Sequence, residues 1–222
     1  MCRWGNAGNQ SKMSHRAADF GNFVAYSDDF GATWEATAPI RDQGWNECFL
    51  ALLPGSGRLL EISRRTNPDP SVPKDKAYPA HTYAYIVFED DTLAKHTPVA
   101  TLGPPGQVET PICEASLVAH GPALYLSHPQ SNHSRTNLVI HRSLDEGRTW
   151  PHFTVVAGPD TGAGYSSMVA TAQGLLIAYN QWPLTPKQSS SAGPGQYIRF
   201  QAVPYDGPRW QRGQAAPGHA GG

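Results

Sequence analysis

The chain has 222 residues, which is enough for one sizeable domain or two small ones. Its net charge of −1 lacks the basic excess of a protein that binds nucleic acid, and no apolar run is long enough to span a membrane. Glycine and proline are abundant, at 22 and 20 residues, whereas the hydrophobic fraction is only 39%. This composition predicts an all-β fold of short strands joined by turns.

Short apolar segments bounded by Gly, Pro or polar turn residues predict the strands. In chain order these are residues 22–26, 45–53, 58–65, 83–88, 114–119, 123–127, 137–141, 165–170, 175–179 and 197–203. Residues 1–21 are predicted to form an irregular N-terminus, residues 22–206 the folded region, and residues 207–222 a disordered tail rich in Gly, Pro and Ala. Three widely spaced cysteines form no CxxC pair, so we expect thiols rather than a disulfide framework.

An eight-residue pattern, S-x-D-x-G-x-T-W, occurs at residues 27–34 (the first octet) and 143–150 (the second octet). Asp bonds backbone N–H groups two residues on, Gly adopts positive φ, and the closing Trp is a large apolar plug. Each octet is therefore predicted to connect the strands of a β-hairpin, with a structural role. A degenerate copy is placed at residues 89–92, midway between them, which gives a repeat of about 58 residues, close to one propeller blade.

Both octets resemble the Asp-box of sialidases. The segments 46–48, 57–65, 134–142 and 164–167 add Glu, Arg, Arg and Tyr in the order typical of exo-α-sialidases. This resemblance covers about residues 22–180. It implies a partial sialidase-type six-bladed β-propeller in residues 22–206, with about three to four four-stranded blades. It also implies a retaining hydrolase that removes terminal sialic acid from glycoconjugates and needs no metal or organic cofactor.

The resemblance assigns Tyr165 as the nucleophile and Glu47 as the base that takes its proton. A phenol suits a substrate with a carboxylate on the anomeric carbon, because a carboxylate nucleophile would be repelled there. An ordinary phenol titrates near pH 10, so it needs a base and positive surroundings. We expect Gly164 to bend the backbone so that the phenol enters the central cavity. The alternatives are a packed aromatic side chain for Tyr165 and a structural salt bridge for Glu47.

Arginines are expected to bind the substrate carboxylate, since guanidinium is always charged and can bond a carboxylate through two N–H groups. The resemblance assigns Arg65 as the second of three such arginines, with Arg64 as the alternative, and Arg135 as the third. Neighbouring strand residues face opposite sides, so only one of Arg64 and Arg65 can point inward. The alternative for Arg64 and Arg65 is an exposed pair at a strand edge, and the alternative for Arg135 is a loop cation with no binding role.

The sequence departs from the family pattern in three places. It contains no Arg-Ile-Pro triplet for the first arginine, no convincing acid/base Asp in residues 1–21, and Tyr179-Asn180 where many relatives have Tyr-Glu. We therefore expect the C-terminal part of a longer protein or a truncated gene product. Without the acid, protonation of the leaving group would lose on the order of 10²–10⁴ in rate, so an inactive isolated chain remains an alternative. The alternative functions are a non-catalytic Asp-box propeller that binds glycans or a protein, and a glycosidase for another acidic sugar.

Overall fold

A computed structural model describes residues 4–5, 20–37, 45–65, 83–88, 93, 96–99, 108, 115–131, 134–184 and 195–212. Every regular element in these ranges is a β-strand, so the prediction of an all-β fold is confirmed. Within the same ranges there is no helix with the length and apolar character needed to cross a membrane.

Fifteen strands are present in the described ranges. They are β1 (Trp4–Gly5), β2 (Phe20–Gly21), β3 (Ala25–Tyr26), β4 (Glu35–Ala36), β5 (Trp45–Leu52), β6 (Leu59–Arg65), β7 (Tyr83–Phe88), β8 (His96–Val99), β9 (Ser116–His120), β10 (Ala123–Pro129), β11 (Thr136–Ser143), β12 (His152–Thr171), β13 (Gly174–Pro183), β14 (Tyr197–Val203) and β15 (Gln211–Arg212).

The strands form four antiparallel sheets. Two are small pairs, β1–β2 and β3–β4, and a third has four strands in the order β5-β6-β7-β8. The largest has seven strands in the order β14-β13-β12-β11-β10-β9, with β15 also pairing with β12. Strand β12 pairs with β11 along its first half and with β13 along its second half, so it joins strands β9–β11 and strands β13–β14 into one sheet.

The hydrophobic core follows from the two-residue period of strand β10, because successive side chains of a strand point to opposite faces. Leu124 and Leu126 are fully buried in a cluster shared with Leu60 and Ile62 of β6. Tyr125 lies on the other face, in a second cluster formed with β11, β13 and β14. With both faces covered, the first four residues of β10, Ala123 to Leu126, form a continuous apolar run rather than an alternating one.

The two octets have the same internal hydrogen bonds. In the second, the Asp145 carboxylate accepts from the backbone N–H of Thr149 at 2.8 Å and from its hydroxyl at 2.6 Å. In the first, Asp29 accepts from the same groups of Thr33 at 2.8 and 2.7 Å. The Thr33 hydroxyl, and next its N–H, hold the pKa of Asp29 at about 2. Each octet thus connects the strands of a hairpin, as the sequence predicted, although the Asp carboxylate bonds the backbone N–H four residues on rather than two.

The octets differ in what covers their tryptophans. Trp150 is fully buried, and a side chain at Gly147 would meet Trp150, Leu124 and Leu60 within 4 Å. Trp34, the equivalent residue of the first octet, is 65% exposed. The second octet therefore joins the four-stranded and seven-stranded sheets, whereas the first has a mostly exposed indole.

Three features differ from the sequence-based expectations. The strand predicted at residues 165–170 is only the second half of β12, which begins at His152 and continues to Thr171 because its second half pairs with β13. Cys48 is disulfide-bonded rather than a thiol, and its partner lies outside the described residues. Part of the predicted tail is ordered, since β15 pairs with β12 and Trp210 packs on the core. The degenerate copy at residues 89–92 lies outside the described residues.

Candidate functional site

Tyr165 lies at an irregularity in β12. The pairing with β13 runs from Gly164 opposite Asn180 to Ser166 opposite Tyr179, so Tyr165 is the extra residue of a β-bulge. Its φ is +30°, which is in the strained left-handed region for a residue with a side chain. The expected bend is therefore at Tyr165 itself, not at Gly164. Tyr165, at this bulge, is 37% exposed.

Glu47 also lies at an irregularity, in β5. The pairing of β5 with β6 shifts register between Trp45 and Cys48, and Glu47 falls within that shift. The Tyr165 hydroxyl donates a hydrogen bond of 3.1 Å to Oε1 of Glu47 across 118 positions of sequence. The four-stranded and seven-stranded sheets thus each contribute one member of a phenol–carboxylate pair.

Arg135 lies directly before β11 and adjoins the same phenol. Its guanidinium carbon is 4.8 Å from the centre of the Tyr165 ring. Its backbone carbonyl accepts a 2.8 Å hydrogen bond from the N–H of Ala163, two residues before Tyr165. Strand β11 shifts register between Thr136 and Leu138, immediately after this position. The backbone of Arg135 is therefore bonded to β12, the strand that carries the phenol.

A chain of buried hydroxyls supports the backbone next to Arg135. The Ser134 hydroxyl lies 3.3 Å from that of Ser131 and 3.0 Å from that of Thr136. Beside the bulge, the hydroxyls of Ser127 and Ser166 are 2.7 Å apart and buried, which ties β10 to β12. Sequence reasoning did not identify these serines, because hydroxyl pairs between distant strands leave no local pattern.

The remaining two predicted residues, Arg64 and Arg65, end strand β6. Arg64 is paired with Tyr83 of β7, and Arg65 is paired with Trp45 of β5, two residues before Glu47. The register therefore brings the backbone of Arg65 to the strand that carries Glu47. Their side chains lie outside the described part of the structure, so the choice between them stays a prediction.

The cluster of Glu47, Arg135 and Tyr165 has the groups needed to activate a phenol. The carboxylate can take the phenol proton, and the guanidinium favours the resulting phenolate through its positive charge. A positive group beside the phenol also suits an anionic ligand. Among the described residues, no group of three or more His, Cys, Asp or Glu side chains could hold a metal ion.

The sequence matches no protein-family model and no curated protein. Among solved structures, Hadza microbial sialidase Hz136 is similar at a TM-score of 0.62 and 23% identity, covering 85% of this chain and 34% of that one. The fold is sialidase-like. The intramolecular trans-sialidase from Ruminococcus gnavus has a TM-score of 0.56 and 17% identity, covering 84% of this chain and 38% of that one. Trypanosoma rangeli sialidase has a TM-score of 0.58 and 15% identity, covering 82% and 27%.

These similarities confirm the predicted fold class, a partial sialidase-type propeller. At identities below 25% they establish the fold alone, and they do not test the assignment of site residues. The chain spans about a third of the length of the solved chains it matches, 27–38% in these three cases.

Proposed function

We propose that this chain carries the nucleophile and base of a retaining exo-α-sialidase that hydrolyses terminal sialic acid from glycoconjugates. The observation that supports this most directly is the 3.1 Å hydrogen bond from the Tyr165 hydroxyl to Glu47. A phenol paired with a carboxylate is the nucleophile that glycosidases use when the substrate is itself anionic at the anomeric carbon. The sialidase-like fold is consistent with this substrate class but does not by itself establish it.

In the proposed reaction, Glu47 Oε1 takes the Tyr165 proton as the phenol oxygen attacks the anomeric carbon. The carbon–oxygen bond to the leaving group breaks, and the leaving oxygen takes a proton from a donor outside the assigned residues. Water then attacks the same carbon and gives a proton to the group that protonated the leaving oxygen. The bond to Tyr165 breaks, and its oxygen takes its proton back from Glu47. Two displacements at one carbon give net retention.

Arg135 and one of Arg64 and Arg65 are proposed to bind the substrate carboxylate. The guanidinium of Arg135, 4.8 Å from the Tyr165 ring, would hold that carboxylate beside the nucleophile. The same positive charge would lower the energy of the phenolate that forms on proton transfer to Glu47.

The second candidate function is recognition of a sialylated glycan without cleavage. It is favoured by two departures from the sialidase pattern. The sequence has no Arg-Ile-Pro triplet, which would carry the first of the three carboxylate-binding arginines, and residues 1–21 contain no convincing acid/base Asp. Binding needs the cation but not the acid, since only the chemical step requires protonation of the leaving group.

Turnover of a fluorogenic sialoside by this chain and by Tyr165→Phe separates the two functions. Tyr26→Phe is a matched control, because its hydroxyl also donates to a glutamate, Glu35 at 2.8 Å, on an exposed hairpin. We expect measurable turnover by the parent and by Tyr26→Phe, and a loss of at least about 100-fold in Tyr165→Phe. Turnover that survives Tyr165→Phe would exclude Tyr165 as the nucleophile. Binding of sialic acid without turnover in the parent would establish the second function.

A further inference from the structure

Asn180 lies opposite the bulge that carries Tyr165. Its Cα is paired with that of Gly164, the residue before Tyr165, in the antiparallel ladder between β12 and β13. A bulge disrupts this ladder locally and leaves its extra residue, Tyr165, outside the regular register. Buried backbone carbonyls left without a donor are costly, and some other group has to satisfy them.

The Asn180 amide supplies that donor. The side-chain oxygen of Asn180 accepts a hydrogen bond from the Gln196 amide nitrogen at 2.5 Å. Its side-chain nitrogen lies 2.5 Å from the Gly164 carbonyl oxygen and 3.3 Å from the Tyr165 carbonyl oxygen. This orientation follows from the hydrogen-bond network, because the reverse one places oxygen against two acceptors. An amide nitrogen has two N–H groups, so one side chain can serve both carbonyls.

We propose that Asn180 is a positioning residue, which holds Tyr165 in its left-handed conformation and so keeps the phenol against Glu47. A φ of +30° persists for a tyrosine only where surrounding contacts impose it. The two hydrogen bonds from Asn180 fix both peptide planes at the bend. Its effect on catalysis rests on the proposed function, whereas its effect on the Tyr165–Glu47 contact does not.

The chemistry of position 180 is specific. Asp has nearly the same shape as Asn but no N–H group, so Asn180→Asp would face both carbonyls with acceptors. Asn180→Ala removes the side chain without adding a charge. Gln181 is a matched control, since it is an amide on the same strand that contacts Arg199 at 3.4 Å rather than the bulge.

The test uses 3-fluorotyrosine incorporated at position 165 and fluorine NMR. In the parent, Glu47→Gln should shift the fluorine resonance, because the phenol loses its carboxylate partner. In the Asn180→Asp and Asn180→Ala backgrounds, we expect the shift of the fluorine resonance caused by Glu47→Gln to fall by more than about half. Such a change is what a double-mutant cycle gives for coupled residues. In Gln181→Ala the response should remain. Circular dichroism identifies which variants fold, and either folded Asn180 variant is sufficient.

An unchanged response to Glu47→Gln in a folded Asn180 variant would overturn the proposal. If the parent hydrolyses a sialoside, Asn180→Ala should lower kcat about 10- to 100-fold while KM changes within about twofold, because a misplaced nucleophile affects the chemical step. Unchanged kcat would overturn the catalytic part of the proposal. If the parent gives no turnover but the fluorine response is lost, the proposed function fails and the positioning role stands.

Discussion

Replacing Trp150 by alanine tests whether the second octet joins the two large sheets. The Trp150 side chain is fully buried, belongs to the core cluster of both sheets, and donates a 3.1 Å hydrogen bond to the Gly147 carbonyl. Beside it, the Glu146 carboxylate accepts a 2.6 Å hydrogen bond from the N–H of Ser56, in the turn between β5 and β6. Trp34, at the equivalent position of the first octet, is 65% exposed and serves as an internal control.

The expected magnitude follows from burial. Removing a fully buried Trp side chain costs about 3–5 kcal/mol through lost transfer free energy and the cavity that remains. Loss of its hydrogen bond adds about 1 kcal/mol. Since domains are stable by about 5–15 kcal/mol, Trp150→Ala removes a large part of the free energy of unfolding. Trp34→Ala makes no such cavity, although it loses a 3.2 Å hydrogen bond to Gly31, so we expect a loss of about 1 kcal/mol or less.

Urea unfolding followed by far-ultraviolet circular dichroism measures both variants without relying on the fluorescence of the mutated residue. The midpoint should fall strongly for Trp150→Ala and little for Trp34→Ala, at a similar slope. Trp150→Phe, which keeps an aromatic ring but loses the N–H, should fall between the parent and Trp150→Ala. Equal losses in the two alanine variants would refute the reasoning, because they would show that the exposed indole contributes as much as the buried one.

Two further predictions concern packing and pH. Gly162→Ala should lower the free energy of unfolding by about 1–3 kcal/mol, because the added Cβ would stand 2.1 Å from the Trp182 indole. The added Cβ of Gly158→Ala meets nothing within 4 Å, so this control variant should be neutral. Thermal unfolding of the two variants compares them. Burial lowers the pKa of His128 to about 4, only partly opposed by its hydrogen bond to Pro129, so the neutral form is favoured in the fold. The neutral His128 side chain therefore contributes its full stability above about pH 6.5. This contribution to the free energy of unfolding is lost as the pH falls towards 4, by up to about 1.4 kcal/mol per pH unit. Urea midpoints at pH 7.5 and 5 should show this loss, and His128→Gln should reduce it; a pH-independent midpoint in the parent would contradict it.

The strands that sequence reasoning located best are those bounded by strong turn residues. Strand β7 was predicted at residues 83–88 and observed at Tyr83–Phe88, and β14 was predicted at 197–203 and observed at Tyr197–Val203. Gly195 and Pro204 lie close to the two ends of β14, and Asp90 and Asp91 follow shortly after β7, so both strands end near residues that favour turns.

Strand β12 could not be predicted as one element, for a physical reason. Its middle contains Gly158, Pro159, Gly162 and Gly164, residues that locally favour turns and weaken strands. Pairing with β11 on one side and β13 further on supplies hydrogen bonds to both halves, and that long-range term outweighs the local preference. Trp182 on β13 covers the glycine at position 162 so closely that no larger residue fits there.

For the candidate site, the sequence predicted the residue types but not their geometry. Tyr165, Glu47 and Arg135 were assigned by resemblance, and the structure brings these three together. The strain at Tyr165 was not foreseen, because a positive φ depends on the register between β12 and β13. Asn180 was noted only as a departure from Tyr-Glu, since its contact with the bulge exists only once that register is set.

The three clustered residues share a structural context that explains how they meet. Glu47 and Tyr165 each fall within a register shift, and Arg135 directly precedes one. In a regular antiparallel strand every side chain faces one side of the sheet or the other. A bulge gives one residue a third direction. The irregularities are therefore the means by which tightly packed sheets can point a phenol, a carboxylate and a guanidinium at a common centre.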